Sequence, residues 1–242
     1  MGFNAIRKYF KRGNVCVTGL RGRGKDMLVA NVVARDNKPY ISNIDYTHDS
    51  RFNALDLGSL DCGGNTYKEF ISGSVKPYSF PYADGTDVYI SDVGVYFPSQ
   101  YCNDLNRDYK HVPVYMALSR QLSANNVHIN VQNLNRAWDK IREQSDTYIY
   151  CRWCYVLFGI VIQCVTVYEK YDSCLARMQV PRVSVPLFNR QARMQARIYL
   201  DQFRNTHGEI KNHFLIYRNK SNYDTRFFKK LLGGGNNAKN NK

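Results

Sequence analysis

A glycine-rich stretch near the amino terminus has the composition and spacing to bind phosphate. Residues 19–27 are Gly19, Leu20, Arg21, Gly22, Arg23, Gly24, Lys25, Asp26 and Met27, and they fit the pattern G-x-x-x-x-G-K. Glycines let the backbone wrap closely around phosphate oxygens, so that successive N–H groups point inward. A following helix would add the partial positive charge of its N-terminus, and Lys25 would neutralise the β and γ phosphates. Residues 19–27 therefore predict a nucleotide site.

Two carboxylates are candidates to hold a magnesium ion beside that nucleotide. The residue after the lysine of this pattern is normally Ser or Thr, whose hydroxyl ligates Mg²⁺, and here it is Asp26. A carboxylate is also a hard oxygen ligand for Mg²⁺. Asp92 ends the apolar run Val88–Ser91, as the metal-binding aspartate of a Walker B strand does. The sequence therefore predicts ATP and Mg²⁺ as cofactors, with Asp26 and Asp92 as metal ligands.

The residues that would carry out hydrolysis are less regular. Many motor ATPases have a glutamate after the Walker B aspartate to activate water, and this chain has Val93. The sequence leaves open whether another carboxylate is the base, hydrolysis is slow or it is absent. Gln132 follows the predicted strand Val127–Val131, in which valine and isoleucine alternate with polar residues. In motor ATPases with an added strand between the P-loop and Walker B strands, such a residue senses the γ-phosphate; a loop hydrogen bond fits this spacing equally well.

The segments that must position these residues alternate between strand and helix patterns. Strands are predicted at Val15–Thr18, Pro39–Ile44, Val88–Ser91 and Val127–Val131, and helices at Lys25–Arg35 and Val114–Leu122. This alternation predicts an α/β fold with a mainly parallel sheet and helices on both faces. Because such folds bind ligands at the carboxyl edge of the sheet, we expect Lys25, Asp92 and Gln132 along that edge.

One apolar region, residues 147–168, requires a choice between strands and a membrane span. Its uninterrupted core, Tyr155–Ile162, is far shorter than the roughly 20 residues that a spanning helix needs. Arg152 and Gln163 interrupt the longer window, and β-branched and aromatic residues are abundant in it. The pattern favours strands.

The charge of the chain predicts a polyanionic partner. Among 242 residues, lysine and arginine exceed aspartate and glutamate by 34 − 20 = 14, which favours nucleic acid or an acidic membrane surface. Residues 189–205 predict an amphipathic helix with Ala192, Ala196, Tyr199 and Phe203 on one face. An arginine row on another face predicts nucleic-acid contacts; its members are Arg190, Arg193, Arg197 and Arg204. Residues 1–12 are also basic and amphipathic, and would either touch a membrane or DNA or pack on the domain.

The seven cysteines are odd in number, and the polar, basic start of the chain shows no secretory signal, which predicts reduced thiols in the cytosol. Cys151 and Cys154 form a CxxC motif, but no second pair at zinc-binding spacing is obvious.

Four stretches together resemble the zonula-occludens-toxin-like domain, which includes the filamentous-phage assembly ATPases. They are residues 19–26, the segment Tyr40-Ile-Ser-Asn43-Ile44, Ser91-Asp92 followed by Tyr96-Phe97-Pro98-Ser99, and Ser119-Arg120 with the later Ile129-Asn-Val-Gln132 and Ile141-Arg142. Their order and spacing match the family's over roughly residues 13–150. Each stretch is short, so the specificity lies in the series.

The resemblance implies a P-loop ATPase of the RecA/FtsK-HerA type that packages or extrudes a phage genome. By matching position it assigns catalytic roles to Lys25, Asp92 and Gln132, and makes Arg120 and Arg142 candidates to reach a neighbouring subunit's nucleotide. It also implies a homo-oligomeric ring, phage DNA (single-stranded by expectation) and other phage or host assembly proteins as partners, with membrane association possible. The expected location is the host cytoplasm or the inner face of the cell membrane. Nothing in the chain resembles a toxin peptide.

The predicted organisation is a basic segment at 1–12, an ATPase domain at 13–180, a C-terminal helical appendage with some β structure at 181–232 and a disordered tail at 233–242. Two other functions compete with the motor. A nucleotide-binding but non-hydrolysing assembly factor is favoured by Asp26 and Val93. A small-molecule kinase shares the P-loop pattern, but the chain has no obvious arginine-rich lid and a kinase does not need the excess basic charge.

Overall fold

The computed structural model describes residues 2–60, 82–179, 190–207 and 212–221. The strands are β1 (Val15–Thr18), β2 (Tyr40–Ser42), β3 (Phe52–Ala54), β4 (Asp87–Ile90), β5 (Val127–Val131), β6 (Thr147–Leu157), β7 (Ile160–Tyr168) and β8 (Asn212–Arg218). The helices are α1 (Phe3–Arg12), α2 (Lys25–Asp36), α3 (Val93–Tyr96), α4 (Cys102–Asp108), α5 (His111–Ser123), α6 (Asp139–Arg142), α7 (Tyr171–Gln179) and α8 (Arg190–His207). Short 3₁₀ turns occupy Leu57–Leu60, Ser99–Tyr101 and Leu134–Arg136.

One eight-stranded sheet joins these elements in the order β3-β2-β4-β5-β1-β6-β7-β8. The strands from β3 to β6 in this order pair in parallel, whereas β7 and β8 are antiparallel additions at one edge. The predicted mainly parallel sheet is therefore confirmed. Strand β5 lies between β1 and β4, so the added strand expected between the phosphate-loop strand and the Asp92 strand is also present.

Helices cover both faces of the sheet because the strands carry apolar side chains on both faces. Val15 and Val17 of β1 lie in one core with apolar residues of α1 and α2. Cys16, between them in sequence, lies in the other core with residues of α3, α4, α5 and α7. The residues of β1 are thus all buried, from one side of the sheet or the other, as central parallel strands require. The prediction of helices on both faces is confirmed.

The basic amino-terminal segment packs against the domain. Helix α1 buries Phe3, Ile6 and Phe10. Arg7 donates to the backbone oxygen of Arg35, 3.1 Å away, and pairs with the Asp36 carboxylate. Of the two possibilities left open for residues 1–12, packing on the domain is the one that the structure shows for the apolar side.

Strands β6 and β7 form a long antiparallel hairpin, so residues 147–168 are strands as predicted. No helix in the part of the chain described is both long and apolar enough to cross a membrane. The predicted C-terminal appendage contributes α8 and also β8, which pairs with β7 and so belongs to the main sheet. The predicted disordered tail, 233–242, lies outside the described residues.

Candidate functional site

The loop between β1 and α2 makes a tight turn at the carboxyl end of β1. Gly24, the residue before α2, has φ +80°, a left-handed conformation that glycine adopts at little cost. A Cβ atom at this position would lie 2.5 Å from the Cβ of Cys154 and 2.7 Å from its Sγ. Gly19 approaches the backbone oxygen of Cys151 in the same way, since a Cβ there would lie 2.5 Å from it. Only glycine therefore fits at positions 19 and 24, where the loop contacts β6.

Lys25 occupies the first turn of α2 and is only 4 % exposed. Its charge acts at the end of β4, because it opposes the rise in the pKa of Asp92 that burial causes. The lysine therefore stands at the carboxyl edge of the sheet, within electrostatic reach of the predicted metal ligand. This arrangement is the one that the phosphate-loop pattern predicts.

Asp26 is linked to the two neighbouring strand ends. Its Oδ1 atom accepts a hydrogen bond from the Ser91 hydroxyl, 3.2 Å away, and another from the Asn130 side-chain amide. The carbonyl oxygen of the Asn130 side chain accepts from the backbone N–H of Asp92 at 3.2 Å. Both bonds to Asp26 end on Oδ1, so they leave Oδ2 as the carboxylate oxygen that could ligate a metal.

Asp92 follows β4 with φ +51°, a left-handed conformation uncommon for residues other than glycine. Burial raises its pKa, and the negative charge of Asp26 raises it further, whereas Lys25 and a hydrogen bond with the Gln132 side chain oppose these effects. Two carboxylates close enough to repel each other are the donor set that a divalent cation would stabilise.

These residues fit a magnesium ion of the kind that nucleotides carry. The described residues contain no group of three or more His, Cys, Asp or Glu side chains able to hold a metal. Mg²⁺ usually keeps several waters and is bound by one or two carboxylates together with substrate phosphates. Asp26 and Asp92 would therefore supply the protein's share, and the nucleotide and water the rest.

The Asp26 assignment leads to a prediction about magnesium. Asp26→Asn retains an Oδ1 acceptor for Ser91 and Asn130 but loses the negative charge. We expect the magnesium concentration for half-maximal nucleotide binding to rise about tenfold, corresponding to about 1.4 kcal/mol. The measurement is a magnesium titration of the binding of a fluorescent ATP analogue, with exposed Asp84→Asn as the matched control. Superimposable titrations for the two variants would show that Asp26 does not ligate the metal.

Two asparagines at strand ends were not predicted as site residues. Asn130 connects Asp26 to Asp92, as described above. Asn43, after β2, accepts from the backbone N–H of Ser91 at 2.7 Å and donates to the backbone oxygen of Ser91 at 3.0 Å. Both occur within the motifs of the family resemblance, but their role in fixing the end of β4 depends on which strands are neighbours. Their hydrogen bonds to Ser91 and Asp92 fix the backbone that carries the Asp92 carboxylate.

A buried glutamine supports the phosphate loop from behind. Gln163 of β7 is fully buried; its amide nitrogen donates to the backbone oxygen of Gly24 at 2.9 Å. Its side-chain oxygen accepts from the Tyr217 hydroxyl of β8 at 3.0 Å. The antiparallel edge strands therefore hold the loop in place. In the sequence, Gln163 stands out because it interrupts an otherwise apolar run. That interruption argues against a membrane span, but it does not reveal the contact with the phosphate loop.

The two predicted arginines do not join the site within one chain. Arg120 of α5 donates to the Asn126 side chain at 3.2 Å, next to the amino end of β5 and thus at the opposite edge of the sheet. Arg142 of α6 donates to the backbone oxygen of Leu134 at 3.1 Å, and its guanidinium lies 4.5 Å from the Tyr171 ring centroid. Their action on a neighbouring subunit's nucleotide remains a prediction.

A third arginine lies closer to the predicted catalytic residues. Arg136 is exposed and lines a small cleft together with Asp92 and Gln132. Sequence reasoning missed it because it belongs to no motif and follows β5 in an irregular connection. Its position makes it a candidate to bind the phosphate end of a nucleotide.

The predicted arginine row is exposed along α8. Arg190, Arg193, Arg197 and Arg204 are all exposed, and Arg204 lies 3.8 Å from Asp201. On the predicted apolar face, Phe203 is buried and Tyr199 is exposed. The row is thus accessible, although α8 packs less of its apolar face than its pattern predicts.

The fold and the site together define a P-loop NTPase of the class with an added central strand. A phosphate-binding loop follows β1, an aspartate follows β4, and β5 lies between these two strands. Lys25, Asp92 and Gln132 lie at the carboxyl edge of the sheet, where sequence analysis placed them, and Asp26 is bonded to the ends of β4 and β5 at the same edge.

Comparison with solved structures finds chains of low sequence identity. The chain is similar to the N-terminal domain of zonular occludens toxin from Neisseria meningitidis, with a TM-score of 0.44 and 10 % identity over 90 % of this chain and 97 % of that one. It is also similar to the genome packaging NTPase B204 from Sulfolobus turreted icosahedral virus 2, with a TM-score of 0.38 and 14 % identity over 86 % and 93 % of the two chains. No family model and no curated protein matches. Because these TM-scores are low, the assignment of function rests on the chain's own residues.

Proposed function

We propose that this chain binds ATP with magnesium and hydrolyses it as a phage morphogenesis motor that packages or extrudes a genome. The observation that carries the nucleotide part is the meeting of Lys25, Asp26 and Asp92 at one edge of the sheet. The motor part is supported by the series of motifs that resembles the zonula-occludens-toxin-like ATPases and by the net charge of +14.

Each residue of the proposed nucleotide site would have a separate role at the phosphates. The backbone of residues 19–24 and the N-terminus of α2 would bind the phosphate oxygens, and Lys25 would neutralise the β and γ phosphates. Asp26 and Asp92 would hold Mg²⁺, which when bound neutralises charge that develops on the transferred phosphoryl group. Gln132, beside Asp92, would orient the attacking water or sense the γ-phosphate. Arg136 would add positive charge from the same cleft.

The missing glutamate after Asp92 supports a second function, a nucleotide-binding assembly factor that does not hydrolyse ATP. Val93 is fully buried in the core, and its hydrocarbon side chain has no group that could accept a proton from water. In that alternative the loop would bind ATP with the same residues, and nucleotide binding alone would change the assembly state of the protein.

The discriminating experiment is ATP turnover measured with and without single-stranded DNA at several salt concentrations. A motor should release phosphate faster when DNA is present, and the stimulation should decline with salt because bound phosphates release counterions. ATP binding without any DNA-dependent phosphate release would support the assembly factor instead.

The arginine row gives a prediction for the DNA partner. Arg193→Gln with Arg197→Gln removes two cations from one face of α8. We expect weaker binding of single-stranded DNA and a log–log salt slope flatter by about one unit or more, since each contact contributes about −0.7. ATP binding should be retained. Fluorescence anisotropy over a salt series provides the measurement, and Lys8→Gln with Arg12→Gln, which removes two exposed cations from α1, is the matched control for charge.

An unchanged slope in the double variant would mean that the row does not contact DNA. A change in sedimentation behaviour with unchanged DNA binding would instead place these arginines at a contact between subunits of the proposed homo-oligomeric ring.

The host cytoplasm, including the inner face of its membrane, is the location that this function implies.

A further inference from the structure

The hairpin of β6 and β7 ends in a solvent-exposed apolar tip. Phe158, in its turn, is 95 % exposed. The flanking residues Tyr155, Val156, Leu157 and Ile160 are all between 45 % and 66 % exposed. Phe158 and Gly159 have φ values of +48° and +74°, so a tight two-residue turn holds the phenyl ring outward.

Strand β8 extends this apolar surface across three strands. Ile216 is the register partner of Ile162, which in turn faces Tyr155, so the three side chains form one cross-strand row. Phe214 lies 6.0 Å from Trp153, measured between ring centroids. Phe214 and Ile216 are 62 % and 69 % exposed. We call the hairpin tip and these two β8 residues the apolar edge surface.

Only cations border the apolar edge surface within its own strands. Arg218 is the register partner of Ile160 and is exposed, and Lys220 follows it. Arg152 lies at the other end of the surface and donates to the Asn212 side chain at 3.0 Å. The sequence has no aspartate or glutamate between residues 147 and 168 or between 212 and 221.

We propose that the apolar edge surface docks the chain peripherally on an anionic lipid bilayer. Three residue steps separate Tyr155 from Phe158, a length of about 10 Å along a strand. Side chains of peripheral proteins insert to about 5–10 Å, so the tip would reach the boundary between headgroups and acyl chains. Arg218 is level with Ile160 in the register, so its long side chain would reach back from the tip to the anionic headgroups, and Lys220 follows it. Arg152 would approach the headgroups from the protein side, and Trp153 and Tyr155 would lie at the interface that aromatic side chains favour.

The shape of the tip favours lipid over a second copy of this chain. Val156 lies on the face opposite Tyr155 and Leu157 and is half exposed, so the end of the hairpin is apolar on both faces. Lipid can surround such a projection, whereas a contact between two sheets would cover only one face. The surface and the nucleotide site use different residues, so docking is independent of the proposed ATP binding.

The test is co-sedimentation with vesicles of phosphatidylcholine alone or mixed with phosphatidylglycerol. We expect the wild-type chain to bind the mixed vesicles, and Phe158→Asn with Leu157→Thr to weaken binding by about tenfold or more. Asparagine before glycine suits the turn, so the variant should fold. Met194→Gln, at an exposed apolar residue of α8, is the matched control and should bind as wild type.

Several results would overturn the proposal. Wild-type chain that stays in the supernatant with mixed vesicles would do so, as would equal binding by the hairpin variant and wild type. An oligomer that dissociates in the hairpin variant without vesicles, measured by light scattering, would assign the surface to a second copy. Lys25→Ala should bind vesicles normally, so a failure of the nucleotide proposal would leave this result unaffected.

Discussion

Lys25→Ala is expected to abolish ATP binding, with an affinity loss of at least about a hundredfold, equivalent to about 2.7 kcal/mol. In the proposed site Lys25 neutralises the β and γ phosphates, and because it is nearly buried, dissolved cations would not substitute for its charge. Isothermal titration with ATP and magnesium measures the loss. Circular dichroism should show an unchanged fold, because removal of a desolvated charge offsets the loss of the packed methylene stem of Lys25.

The matched control is Lys38→Ala, an exposed lysine just before β2, at the amino edge of the same sheet. It removes the same charge from the chain but from the edge opposite the phosphate loop. Equal ATP affinities for wild type, Lys38→Ala and a folded Lys25→Ala would remove the nucleotide site. A loss in both variants would show that net charge, and not position, controls affinity.

Asp92→Asn is expected to separate function from stability. Loss of a metal ligand should weaken magnesium-dependent ATP binding about tenfold or more, or about 1.4 kcal/mol, and lower any turnover in proportion. Without nucleotide, the same variant should be more stable than wild type at neutral pH. The reason is that burial and Asp26 raise the pKa of Asp92, so its charged form is unfavourable in the folded chain.

The direction of the pH effect follows from proton linkage. Since the folded pKa lies above the unfolded value, the folded state binds more protons between the two, and wild-type stability declines as pH rises through this window. Asparagine does not titrate. The stability advantage of Asp92→Asn should therefore be full above the folded pKa and vanish below the unfolded pKa. Thermal denaturation over a pH series, without magnesium, is the measurement.

Asp84→Asn, an exposed site, should show no such pH-dependent advantage over wild type. If Asp92→Asn is less stable than wild type at every pH, the Asp92 carboxylate contributes to the fold through its bond with Gln132 more than it costs by burial. That result would weaken the interpretation of Asp92 as a site held ready for a cation.

The local elements were predictable because each depends on neighbours in sequence. Residues 15–18 begin with three apolar residues and form β1 with the predicted bounds. Residues 127–131 alternate apolar and polar side chains and form β5, also with the predicted bounds. The spacing of Gly24 and Lys25 from Gly19 is enough to predict their role, because a phosphate loop needs a fixed number of successive backbone N–H groups before its lysine. The identity of the strand-end residues, Asp92 and Gln132, followed from the same local patterns.

The partners of those residues were decided by strand order, which no local pattern encodes. Asn130 bonds with Asp26 across 104 positions of sequence, and Gln163 with Gly24 across 139. The family motifs point to Arg120 and Arg142, but the helices that carry them do not bring them to the cleft beside Asp92. Arg136 lines that cleft because it belongs to a short 3₁₀ turn after β5. Sequence by itself determined the phosphate loop, the carboxylates and the alternating strands, since these arise from local spacing. The tertiary structure alone decided which polar side chains hold them, because hydrogen bonds between strands depend on sheet order and register.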